Sequence, residues 1–180
     1  IYRKPEGVSQ AVQDLMDWKE VTGSIFIGIT GLPQTGKSEI VSSIEWQENE
    51  KFLTIDADRI AAQFDGILPQ SVQQSLLKTE RLGAEALTED GRVNREYVTS
   101  DQELFARFFR GMAPVTLARI LDIFMEATEH AGKIVIIDST YLQWLYLEPV
   151  MDDVWFVKRA RSERIDLESR SNVSSRTLLR

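Results

Sequence analysis

The chain has no cysteine among its 180 residues, which rules out disulfides, thiolate chemistry and any cysteine-held metal. It has a single histidine, His130, followed by Ala131 and Gly132 at the end of a helical stretch. There it reads as a surface or helix C-terminal residue rather than a catalyst. No apolar run approaches the roughly 20 residues that span a bilayer, and the N-terminus lacks a signal-peptide pattern, so no membrane partner is expected. With no disulfide to form, a reducing, cytoplasmic setting is the expectation. Basic charge is scarce as well. The 21 Lys/Arg stand against 28 Asp/Glu, for a net charge of −7, which argues against a nucleic-acid backbone as partner. Internal repeats and low-complexity tracts are absent. The first residue is Ile1 rather than Met, so the chain is expected to be an excerpt of a longer product.

What is present suits one domain: 43% of the residues are apolar, enough for a full core at this length. The most informative stretch is Ile25–Ser38, IFIGITGLPQTGKS. An apolar strand leads into a loop from Gly31 to Gly36, and a helix starts near Lys37. Gly31, Gly36, Lys37 and Ser38 complete the pattern G-x-x-x-x-G-K-[ST]. Glycines at both ends let the loop Gly31, Leu32, Pro33, Gln34, Thr35, Gly36 curl its N–H groups around phosphate oxygens. The helix N-terminus, from Lys37 through Ser38 and Glu39, adds its dipole to the same anion. Lys37 can reach the β- and γ-phosphates, and the Ser38 hydroxyl can ligate Mg²⁺. The stretch predicts binding of a nucleoside triphosphate.

Ahead of it, residues 1–23 form an N-terminal helical extension, with Val8, Val12, Leu15, Met16 and Lys19 on one face and Ser9 as possible N-cap. Beyond it, KFLTID (51–56) reads as a second strand running into Asp56-Ala57-Asp58. Alternation places Asp56 and Asp58 on one face, about 7 Å apart. Carboxylates at the carboxyl end of such a strand face the ligand crevice, where one can accept a proton from an attacking hydroxyl. The alternative is that Asp58 caps a helix beginning at Arg59 and Asp56 is merely solvated.

Residues 59–131 are mostly helical, punctuated by Pro69, Gly83, Gly91 and Pro114, with a long amphipathic helix over Val115–His130. Leu104, Phe105, Phe108, Phe109 and Met112 form an aromatic stripe that suits core packing or a lining for a substrate's apolar arm. KIVIID (133–138) is a third strand, ending in Asp138, a position from which a carboxylate can hold Mg²⁺ through its water shell. DVWFVK (153–158) is a fourth. Strands alternating with helices predict a parallel sheet with helical crossovers. From Lys158 to Arg180, seven Lys/Arg stand against three Asp/Glu. Such a segment could cap bound polyphosphate or be a solvated basic helix.

From Phe26 to Arg180 the chain resembles the dephospho-coenzyme A kinases. GITGLPQTGKS is similar to that family's opening strand and phosphate loop, and IDADRIA (55–61) to its second-strand signature. LGAEALTEDGRVNREYV (82–98) resembles its Asp-Gly…Asn-Arg segment, and VWFVK with the helix after it resembles the fourth strand and lid. The resemblance implies an α/β, P-loop NTPase-like parallel sheet over residues 24–180. A helical acceptor insertion would occupy 59–131, and a lid with a following helix 159–180. It implies transfer of the ATP γ-phosphate, with Mg²⁺, to the ribose 3′-hydroxyl of dephospho-coenzyme A. By that resemblance Asp58 is the general base, Lys37 and Ser38 are the phosphate and Mg²⁺ ligands, Arg95 lies near the acceptor, and Arg170 is a lid arginine.

Three departures stand out. Ala113-Pro114 replaces the family's His-Pro. Asp138-Ser-Thr-Tyr-Leu-Gln-Trp replaces a run containing Pro-Leu-Leu-Phe-Glu. In the lid, Glu163 and Asp166 fall where the family has Gln and Arg, although Arg161 and Arg164 could substitute. The final strand of the family's sheet is expected to be missing. Two rivals follow: a degenerate, non-catalytic ATP-binding module, and a kinase acting on another nucleoside or small-metabolite hydroxyl.

Overall fold

The computed structural model describes residues 7–47, 51–126 and 132–158. His130 and the lid residues Arg161, Glu163, Arg164, Asp166 and Arg170 lie outside the described residues. Four strands form one sheet: β1 (Ile25–Thr30), β2 (Phe52–Asp56), β3 (Ile134–Asp138) and β4 (Asp153–Phe156). The order is β2-β3-β1-β4 and every pairing is parallel. The chain is therefore α/β, with helices flanking an all-parallel sheet. The central strands β1 and β3 run nearly apolar, as parallel strands covered on both faces must. From β1 the chain crosses to one edge of the sheet, and from β3 to the other. That reversal opens a crevice at the carboxyl ends of β1 and β3.

The helices follow from patterning and caps. α1 (Val8–Thr22) buries Val8, Val12 and Leu15 and packs on α7 (Ala113–Glu126). Between them, Trp18 lies 4.7 Å from Phe124 and 6.1 Å from Phe26, ring centre to ring centre. Lys19 secures the other end of α1, donating to the Val150 carbonyl at 2.8 Å and to Asp152 at 2.7 Å. Ser9 is not the N-cap. Gly7 holds that place at φ 85°, because fully buried Val8 must already belong to the first turn.

α2 (Lys37–Gln47) follows the glycine loop, and α3 (Ala57–Ala62) follows β2 directly. α4 (Gln70–Gln74) passes into a π-helical turn at Ser75–Thr79, and α5 (Arg95–Val98) and α6 (Gln102–Gly111) complete the insertion with α7. α7 starts at Ala113, two residues earlier than expected, because Pro114 sits in the first turn, where its missing N–H costs nothing. Phe108, Phe109 and Met112 are wholly buried, so most of the aromatic stripe is core. β4 stops at Phe156, and Val154, Trp155 and Phe156 on this sheet edge are exposed. Among the described residues no helix is long and apolar enough to cross a membrane.

Candidate functional site

The glycine loop closes on itself before it can close on a ligand. Gly31 and Gly36 take φ of 152° and 95°, and Gln34 takes 63°. A Cβ on Gly31 would also overlap the Val157 carbonyl oxygen, so the position has no room for a side chain. Thr35 Oγ1 donates to the Leu32 carbonyl at 2.8 Å and pins the turn. Lys37, at the start of α2, is only 8% exposed. Its ammonium donates to Gly31 O at 2.9 Å, to Leu32 O at 3.3 Å and to Thr140 Oγ1 at 3.2 Å. Three acceptors match the three donors an ammonium has.

The two aspartates at the end of β2 and the start of α3 do not share a strand face. Asp56 ends the strand, and its side chain accepts from Arg59 N at 2.8 Å, so it is Asp56 that caps α3. Asp58 therefore lies in the first helical turn rather than on the strand. Its Oδ1 accepts from Ser139 Oγ at 2.6 Å and its Oδ2 from Thr140 N at 2.9 Å. Ser139 Oγ in turn accepts from Tyr141 N at 3.0 Å, which fixes its proton on Asp58. A carboxylate oxygen can accept more than one bond, so each keeps capacity toward the cleft.

Asp138 ends β3 in register with Ile29 and Asp56. Its Oδ1 is buried and has no hydrogen-bond partner among the described residues. Burial pushes its carboxyl up to about 6; Lys37 opposes that, while Asp56 and Asp58 add to it. Burial also raises Asp56, against the pull of the Arg59 N–H. No group of three His, Asp or Glu is arranged to hold a metal among the described residues. A cation such as Mg²⁺ that keeps most of its water would have Asp138 and the Ser38 hydroxyl, which line one cleft, as its protein partners.

These groups converge on a cleft of about 660 Å³. Pro33, Gln34, Lys37 and Ser38 line one side, and Asp56, Asp58, Asp138 and Thr140 the floor. Thr99–Gln102, Phe105 and Tyr141 form the opposite wall. That wall is braced from behind: Tyr141 stacks on Trp144 at 4.8 Å, Arg110 lies over Trp144 at 5.2 Å, and Arg110 pairs with buried Glu80.

No family model matches the chain, and no curated protein matches it.

Of the residues singled out from sequence, the fold brings Pro33, Gln34, Lys37, Ser38, Asp56, Asp58 and Asp138 to the cleft, together with Phe105 of the aromatic stripe. Gly31, Thr35 and Gly36 shape the loop, while Leu32 and Glu39 are exposed beside it. Arg95 is not among the residues that line this cleft; its guanidinium donates to the carbonyl of Gln63, which lines the adjoining pocket with Ser38, Asp56 and Asp138. Arg59 and Gln102 were not singled out as site residues, and Ser139, Thr140 and Tyr141 stood out only as part of the run after Asp138 that departs from the family's. The further signal for Ser139 and Thr140 was their polarity directly after a strand-ending aspartate.

Proposed function

We propose that the chain is an ATP-dependent phosphotransferase with a P-loop kinase fold, acting on a ribose 3′-hydroxyl of the dephospho-coenzyme A kind. The observation that carries the reading is one cleft holding Lys37 and Ser38 from α2, Asp58 from α3 and Asp138 from β3. Loop N–H groups and Lys37 bind and orient the polyphosphate. Asp58, held by Ser139 and Thr140, accepts the acceptor's proton as its oxygen bonds to the γ-phosphorus and the bond to the ADP oxygen breaks. Mg²⁺, held through Ser38 and Asp138, would offset negative charge on the transferring group. The Phe105–Tyr141 ring pair offers the acceptor an apolar surface.

The test is a transfer assay with Mg·ATP against dephospho-coenzyme A and a panel of nucleosides, with ATP affinity measured in parallel. Coenzyme A formation supports the reading, and transfer only to another acceptor revises the substrate. ATP binding without transfer leaves a binding module.

A further inference from the structure

Thr140 is the residue bonded to both sides of the cleft. Its Oγ1 accepts from Lys37 Nζ, its N–H donates to Asp58 Oδ2, and its carbonyl accepts from Thr30 Oγ1 at 3.4 Å. Backbone contacts to α3 and to the end of β1 thus fix where its hydroxyl stands. A hydroxyl carries one donor and two acceptor sites. Lys37 takes an acceptor site, and the hydroxyl donates to no group among the described residues.

Lys37, in contrast, has no donor to spare. Its other two bonds go to carbonyls of the loop itself. An entering phosphate oxygen must displace at least one of the three. Exchange at Thr140 leaves the loop's own closure intact and places that oxygen between an ammonium and an uncommitted O–H, both of which donate. Thr140 stands between Lys37 and Asp58, bonded to both.

We propose that the Thr140 hydroxyl contacts the terminal phosphate and makes the site discriminate a nucleoside triphosphate from the diphosphate. The inference rests on the nucleotide-binding reading above. It accounts for a polar residue at this point: an aliphatic side chain would fill the same space but offer the terminal phosphate nothing.

The test is calorimetric titration of the full chain with Mg²⁺ and either a non-hydrolysable ATP analogue or ADP. Parent, Thr140→Val and Thr140→Ser are compared, with Thr140→Ala replacing valine should that variant not fold. Loss of one hydrogen bond to a charged group is expected to weaken the ATP analogue about tenfold in Thr140→Val. ADP affinity should stay within about twofold, and serine should restore the parent value, since it keeps the hydroxyl. Equal losses for both nucleotides would reduce Thr140 to a support for Lys37 and overturn the inference, as would unchanged affinity for the analogue. In those outcomes the parent still binds nucleotide and the functional reading survives. A parent that binds neither nucleotide brings down both.

Discussion

Asp58 and Asp56 divide two jobs that one aspartate could have been asked to do. Because Asp56 caps α3, Asp56→Ala should cost about 1 kcal/mol of stability, read from the urea midpoint, and leave Asp58 in place. Asp58→Asn should lower phosphoryl transfer by about 10²–10⁴-fold, because the amide cannot take a proton. ATP affinity, measured by calorimetry, should change little, since Asp58 bonds Ser139 and Thr140 rather than the glycine loop. A rate within a few fold of the parent would remove Asp58 from the chemistry. Asp138 makes a pH prediction with a definite sign. Its carboxyl is raised from 3.8 to about 6 by burial, with Lys37 opposing and the neighbouring aspartates adding. The protonated form therefore stabilises the fold, fully below pH 3.8 and progressively less as pH rises through 6. Asp138→Asn removes the titration, so in metal-free buffer it should match the parent near pH 4 and exceed it above pH 7. After discount for partial solvent access the gain is on the order of 1–2 kcal/mol. Urea midpoints across that range that run parallel for parent and variant would contradict the assignment.

At the scale of elements, α1 is a wall of the core. Its buried face, the Trp18–Phe26–Phe124 cluster and the Lys19–Asp152 pair join it to β1, α7 and the approach to β4. Asp152 also accepts from Phe26 N at 2.8 Å, so the pair helps set the β1–β4 register. Leu15→Ala, at a position with no exposure, should cost about 2–5 kcal/mol in urea unfolding and leave nucleotide affinity unchanged in the folded fraction. Elements were legible where periodicity was strong. The apolar runs of β1 and β3 and the Val8–Val12–Leu15 face announce themselves in any register of the fold. The start of α3 was not legible, because Asp-x-Asp offers two equivalent caps. Only the orientation of Asp58 toward the β3 turn decides between them.

At the scale of the whole molecule, the site joins residues far apart in the chain: 103 positions separate Lys37 from Thr140 and 81 separate Asp58 from Ser139. The glycine loop could be read from the sequence because its residues are contiguous, whereas the Ser139–Thr140 contribution depends on strand order, which periodicity does not encode. A motif likewise fixes only a residue's neighbours along the chain, and α5 turns Arg95 toward the Gln63 carbonyl rather than into the lining of this cleft. Assembly also makes ligand binding a property of the entire fold. A ligand that binds only the folded state at about 100 times its dissociation constant adds about 2.7 kcal/mol. For a domain of this size that should raise the melting temperature by roughly 5–11 °C. Saturating Mg·ATP is therefore expected to produce such a rise in the parent chain. Lys37→Ala should melt below the parent without nucleotide, because it leaves the buried Gly31 carbonyl without its donor, at a cost of about 1–3 kcal/mol. With nucleotide, most of the rise should vanish, because the phosphate has lost its point charge. A Lys37→Ala chain that keeps the full rise would move the nucleotide away from Gly31–Ser38, and the cleft would need another ligand.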